Sequence, residues 1–307
     1  MSKATIVGAY NTKFGSFVDK NKATGEITDT YSLYQLMAEA AQGAVKDSGL
    51  DPSRIDGVWI GSFAPGVFTN QDHLGPLALE AFPAALRFKP TQRVEGACAS
   101  SSLAIYNAIY ALESGRFRNV LVVGVEKMNL LKTAGVTHAL AGASYWPTEG
   151  GLGITFPGLF AEYAKGYALK YGLSQKQLAE LLAAAAALCY RNGLENPLAH
   201  FGKGGPSDKL GLSVAAAILG LPDEKNPVVA DPLRLHDCSL VTDGAAALVL
   251  STVEEARRGA GPAVEIAGIG HTTERMAIKD RANMHEFTAG KEAARAAYRE
   301  AGIAAKD

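Results

Sequence analysis

A strand, a loop and a helix occur twice in this chain, and the two copies share their landmarks. Residues 263–270 (Ala-Val-Glu-Ile-Ala-Gly-Ile-Gly) follow the pattern of residues 3–10, with Ile266 falling on Ile6 and Gly268 on Gly8. A helix former follows each strand. In the first copy it spans residues 31–48, with Leu33, Leu36, Met37, Ala40, Ala41 and Ala44 on one stripe. In the second it spans residues 288–300 and ends Glu-Ala-Gly-Ile, which matches Asp47-Ser48-Gly49-Leu50. Gly49 fits just past a helix end, where a left-handed residue is favoured. A true duplication predicts an α/β chain built from two related halves. The competing reading is coincidence, because strand–helix units share a common pattern. The first copy runs on into further strands and helices, whereas the second reaches Asp307 where its next strand is expected. The expectation is a second half that is incomplete or built differently.

The stretch between the copies has another character. Residues 142–158 are glycine-rich and read as irregular chain. Residues 155–171 and 174–191 read as two helices, with Ser174 as an N-cap and Gly172 as a terminator. Residues 196–208 read as a loop, and so does the polar stretch 11–30. Residues 245–250 form a nearly all-apolar run, the signature of a strand covered on both faces. The predicted division is residues 1–125 and 231–258 as a first half, 126–230 as an inserted, mostly helical cap, and 259–307 as the start of a second half. A length of 307 residues fits two lobes better than one core.

Charge and composition remove several function classes. Thirty basic against thirty-one acidic residues give a net charge of −1, so no global basic field for nucleic acid exists. The longest apolar run, residues 181–190, is mostly alanine and too short to cross a bilayer. The N-terminal residues read directly as a strand and lack a signal-peptide core, which predicts a cytoplasmic protein. The three cysteines, at wide spacing, make neither a disulfide framework nor a zinc site. A cysteine that matters here matters as a thiol.

The informative stretch is residues 91–128. Residues 91–95 enter as a strand, Gly96-Ala97-Cys98-Ala99-Ser100-Ser101-Ser102 turns the chain, residues 103–113 form a helix and residues 119–125 a buried strand. Cys98 therefore falls at a strand-to-helix turn. A helix N-terminus carries unpaired N–H groups and a partial positive charge, which favour thiolate over thiol. A thiolate accepts an acyl group from another thioester at little net free-energy change. Gly96, Ala97 and Ala99 leave the sulfur approachable. The helix beyond, with Leu103, Ile105, Tyr106, Ile109, Tyr110 and Leu112, is apolar on nearly every face and is expected to be buried. A small buried hydrophobe is the alternative role for Cys98 and the expected role for Cys189.

Val94-Glu95-Gly96-Ala97-Cys98-Ala99-Ser100-Ser101, followed by Asn119-Val-Leu-Val-Val-Gly-Val-Glu126-Lys127-Met128, resembles the nucleophile segment of the thiolase superfamily, in its sterol-carrier-protein-type branch. Residues 155–163 and 231–250 resemble that branch too, in order along the chain. The resemblance implies a thiolase-like fold, with two pseudo-symmetric βαβαβ halves in five layers and a loop domain that binds coenzyme A. It implies Claisen-type carbon–carbon bond formation or thiolysis of a 3-oxoacyl-CoA, in lipid metabolism, with Cys98 as nucleophile and acyl carrier. It places Ser239 against the pantetheine arm. It implies acyl-CoA as substrate, no permanently bound cofactor, no metal, and a homodimer or tetramer. The family's second cysteine, its Gly-His-Pro histidine and its oxyanion-hole motif have no counterpart among these 307 residues. A non-catalytic acyl-CoA-binding or scaffolding subunit, working with a partner chain, is the alternative.

Other candidates are weaker. Lys203-Gly-Gly-Pro206 either approaches the nucleotide phosphates of coenzyme A or forms a solvated loop. Trp146-Pro147 either lines an acyl pocket or packs its loop. Gly150-Gly-Leu-Gly153 lacks the spacing and the feeding strand of a dinucleotide fingerprint. His236-Asp237-Cys238 looks like a base–nucleophile set, but three consecutive strand residues cannot converge, so packing is expected. His138 and His200 read as polar loop residues, and His73, His271 and His285 join no constellation.

Overall fold

The apolar runs at residues 119–126 and 244–252 become the two central strands of a six-stranded sheet. The structure, a computed structural model, describes residues 4–258, 261 and 263–306. Lys3, Gly259 and Asp307, which bound predicted spans, lie outside the described residues. The strands are β1 (Ala4–Asn11), β2 (Val18–Lys20), β3 (Ile27–Asp29), β4 (Gly57–Gly61), β5 (Thr91–Val94), β6 (Asn119–Glu126), β7 (Val228–Ala230), β8 (Leu233–Arg234), β9 (Gly244–Thr252) and β10 (Val264–Glu265). The helices are α1 (Leu33–Ser48), α2 (Pro65–Thr69), α3 (Pro83–Leu86), α4 (Ser100–Glu113), α5 (Thr133–Ala141), α6 (Phe156–Tyr171), α7 (Gln175–Glu195), α8 (Pro206–Lys209), α9 (Ala215–Leu219), α10 (Val253–Ala256) and α11 (Thr288–Ala301).

The chain divides into two units, residues 1–131, 242–271 and 292–307 in one and residues 132–241 and 272–291 in the other. In the first unit the sheet order is β10-β1-β9-β6-β4-β5. β4 runs parallel to β5 and β6, while β9 is antiparallel to β6 and β1. Side chains alternate across each strand. Leu121, Val123 and Val125 of β6 join Ala245, Ala247 and Val249 of β9 and the stripe Leu33, Leu36, Met37, Ala40, Ala41, Ala44 of α1 in one core. Val120 and Val122 join Leu250, Trp59 and Ala104, Ala108, Ile109, Leu112 of α4 in the other. A helix on each face explains why the central strands are apolar at nearly every position.

The two copies meet the sheet in the same way. Gly8 has no room for a Cβ against the Ala44 carbonyl and Ser48, and Gly268 has none against the Ala297 carbonyl and Ala301. The Ala9 amide donates to Asp47 at 2.9 Å and the Ile269 amide to Glu300 at 3.0 Å. Gly49 and Gly302 end their helices at φ of +66° and +71°. These are the pairs the sequence match had placed opposite one another, so coincidence is not the explanation.

Four sequence expectations are corrected. The strand expected over 263–270 is only Val264–Glu265, paired with Thr5 and Ile6, because the backbone at Gly268 and Gly270 lies against α11 instead of a neighbouring strand. The polar stretch 11–30 holds the β2–β3 hairpin. Helix α4 is not buried all round, since Tyr110 is 51% exposed. Cys189 is exposed rather than packed: it lies two residues beyond buried Ala187 on α7, about 200° round the helix.

The second unit is mostly helical. α6 starts at the N-cap Thr155 and ends at Gly172, φ 63°; α7 starts with a Ser174–Gln177 capping box. Ala183 and Ala187 of α7 form a small core with Leu212 and Ile218. Among the described residues no helix is long and apolar enough to cross a membrane.

Candidate active site

Cys98 is exposed, in a single turn of 3-10 helix (Ala97–Ala99) between β5 and α4. The turn is held from several sides. Buried Ser100 accepts the Gly96 amide at 3.0 Å and donates to the Ala97 carbonyl at 2.7 Å. The Ala97 amide donates to Glu95. Ala97 itself sits at φ 50°, a left-handed conformation that costs an alanine roughly 1 kcal/mol. No side chain caps the N-terminus of α4.

Strand ends press directly on the start of the helix. A side chain at Gly61, the last residue of β4, would collide with the Ser101 backbone, and one at Gly124 of β6 with the Ser101 hydroxyl. Two glycines are therefore required for this close approach. The Cys98 turn cannot slide relative to the sheet.

Behind it lies a clamp that sequence reasoning missed. Glu126 ends β6, and its carboxylate accepts the Phe63 amide at 2.7 Å and the Ser62 hydroxyl at 3.4 Å. Arg93 of β5 donates to the carbonyls of Ser62 (3.1 Å) and Phe63. The Ser62–Phe63 segment thus has its donors and acceptors gripped from two neighbouring strands. Burial pushes the Glu126 carboxyl up from its ordinary value of 4.5; hydrogen bonds from the segment and the nearby Arg93 oppose this. The next residue, Lys127, is wholly buried, 3.1 Å from Asp29 and 3.7 Å from Asp243, and donates to the Phe17 carbonyl. One Asp243 oxygen accepts from Asn129 and the Met128 amide, and the other is the one that faces Lys127. The signal in the sequence was a charged pair closing an all-apolar strand, which needs partners wherever it is buried.

The other predicted residues fall in the second unit. Ser239 is exposed beside Cys238 on the wall of a cavity. Lys203 is 72% exposed and 4.0 Å from Glu195. The His236-Asp237-Cys238 set does not converge. His236 meets the Tyr190 hydroxyl at 2.8 Å, while Asp237 accepts the Arg234 amide at 2.8 Å. Burial pushes the Asp237 carboxyl and the Cys238 thiol up, the charge of Asp237 adding to the latter, so Cys238 is the opposite of an activated thiol. His138 meets Trp146 edge-on, and His271 stacks on Tyr106, whose hydroxyl donates to the Gly270 carbonyl. No group of His, Cys, Asp or Glu among the described residues could hold a metal ion.

Residues 4–254 match the family described as Thiolase, N-terminal domain. The chain belongs to the thiolase family. Its whole length aligns, at 31% identity, with 72% of an acetyl-CoA acetyltransferase of Methanothermobacter thermautotrophicus. Among solved structures, the Ltp2-ChsH2(DUF35) aldolase superposes with a TM-score of 0.73 at 21% identity, covering all of this chain and 71% of that one. A monomeric SCP2-thiolase like protein type 1 from Mycobacterium smegmatis gives 0.67 at 20%, covering all of this chain and 58% of that one. The fold is thus the thiolase fold, and the repeated strand–loop–helix is its internal duplication.

Proposed function

We propose that this thiolase-family chain is an acyl-CoA acyltransferase working through an acyl-Cys98 thioester, in Claisen condensation or in thiolysis of a 3-oxoacyl-CoA. The observation that carries the reading is the placement of Cys98, reachable from solvent on a turn that the sheet and Ser100 hold rigid. The Cys98 sulfur, as thiolate, attacks the carbonyl carbon of an acyl-CoA. The bond from that carbon to the coenzyme sulfur breaks, and coenzyme A leaves, taking up the proton that the cysteine gave up. In condensation the acyl carbon then bonds to the α-carbon of a second acyl-CoA, which gives up a proton, while the bond to the Cys98 sulfur breaks and the thiol is restored. In thiolysis Cys98 instead attacks the 3-keto carbon of a 3-oxoacyl-CoA, and the bond from that carbon to the α-carbon breaks. The departing α-carbon takes up a proton to leave as the shorter acyl-CoA, and coenzyme A then takes the acyl group from Cys98. Ser239 and Lys203 are the proposed contacts to the pantetheine arm and the nucleotide phosphates. Incubation with acetyl-CoA followed by peptide mass spectrometry is the test. One acetyl group on Cys98, absent from Cys98→Ala, is the expected result.

A second reading is a non-catalytic subunit that binds acyl-CoA or scaffolds a partner. The partner chain in this reading is supported by the neighbour described as Ltp2-ChsH2(DUF35) aldolase. Failure of acetyl transfer to a Cys98 that iodoacetamide still alkylates would reject the first reading in favour of this one.

A further inference from the structure

The second unit holds an apolar cavity of about 670 Å³, well within the range of small-molecule sites. One wall is a single face of α6, where Phe156, Phe160, Tyr163 and Tyr167 follow one another at helical spacing. Phe287 adds a fifth ring. Ring centroids lie 5.3 Å apart for Phe156 and Phe160, 6.2 Å for Phe160 and Phe287, and 4.7 Å for Tyr163 and Phe287, all tilted. Tilted rings at this spacing offer both faces and edges to a further ring. Phe160 and Phe287 remain 43% and 57% exposed, so the rings do not close over one another.

Charge narrows the ligand. The lining carries the carboxyls of Asp237 and Glu286 and no lysine or arginine. The cations beside it are already engaged: Lys291 pairs with Glu286 at 2.9 Å and Arg281 donates to the Tyr163 hydroxyl at 2.6 Å. A free carboxylate or phosphate therefore finds no unpaired lysine or arginine in the lining. The other polar groups of the lining are Ser239, His285 and the Tyr163 and Tyr167 hydroxyls, which suit a neutral acceptor or donor on the ligand.

From these rings and this charge balance we infer that the cavity binds an uncharged aromatic ring, which makes aryl-substituted acyl thioesters the preferred substrate class. The thioester as the ring's carrier rests on the acyltransferase reading; the ring site itself does not.

The test uses two neutral ketones of matched shape, benzylacetone and its ring-saturated cyclohexyl analogue, titrated into the full chain by calorimetry. Benzylacetone is expected to bind about fivefold tighter, the size of one favourable aromatic contact. Phe160→Ala removes a ring and Ala164→Leu narrows the cavity, and each is expected to erase that preference while circular dichroism shows the fold intact. Equal or reversed affinity for the two ketones in the unmodified chain overturns the inference, whatever the variants do. So does a preference that survives both variants. Ring selectivity without acetylation of Cys98 keeps the site and removes the acyltransferase reading. Acetylation without ring selectivity does the reverse.

Discussion

The two copies of the strand–loop–helix unit share their contacts but not their burial. In the first, α1 buries Leu33, Leu36, Met37, Ala40, Ala41, Ala44 and Val45 against the sheet. In the second, no residue of α11 is buried. Where α1 carries Leu36, Met37 and Val45, the matched positions of α11 carry Ala289, Gly290 and Tyr298. The backbone landmarks, Gly8 with Asp47 and Gly268 with Glu300, are retained in both. The difference separates two things that usually travel together. A glycine contact and one amide–carboxylate bond set how the helix lies on its strand; large apolar side chains set how tightly it is held.

The sharpest way to break this comparison is to truncate matched helix positions. Leu36→Ala is expected to cost about 2–5 kcal/mol in chemical denaturation. Tyr298→Ala, at a side chain 39% exposed, should stay within about 0.5 kcal/mol. Similar losses at both sites would mean that the second helix is held as firmly as the first. Next come the glycines. Gly8→Ala forces β1 away from α1 inside a closed core and should cost roughly 1–3 kcal/mol. Gly268→Ala moves an edge segment and should cost less than about 1 kcal/mol, read from the same denaturation curves.

A third prediction concerns the strand ends that follow the first copy. Glu126 has a folded-state pKa raised above 4.5, chiefly by burial. As pH rises from 4.5, the unfolded chain loses this proton before the folded one does, so folding stability falls across the window up to the raised value. Glu126→Gln removes that slope. The melting temperature of the variant relative to the unmodified chain should therefore climb over this window, and a flat difference would contradict the assignment. The smallest effect is expected at the shared hydrogen bond. Asp47→Asn and Glu300→Gln should each cost about 0.5 kcal/mol, because both bonds are exposed. A loss several times larger at either position would show that this bond, and not packing, fixes the helix.

Much of this was legible in the residues. The duplication could be read because glycine and acid positions recur with the strand and helix patterns. The Cys98 turn could be read because Gly96-Ala-Cys-Ala-Ser interrupts two different periodicities. Partners distant in sequence could not be read. Glu126 and Phe63 are brought together by the parallel pairing of β4 with β6, and no local pattern encodes that. The side of a helix that faces solvent was equally hidden for α4 and α7, since alanine and tyrosine suit either environment. For the aromatic spacing along α6, a packed core and the wall of a cavity give the same stripe; only the packing around it distinguishes them.

Between the ends of β4 and β6 and the start of α4 there is space for hydrogen atoms and nothing more. Cys98, on the turn that leads into this helix, is exposed, so a group attached to its sulfur meets solvent unless something else covers it. The survival of such an adduct would then depend on how often bulk solvent collides with its carbonyl, a quantity set by whatever shelters that side rather than by the strands underneath.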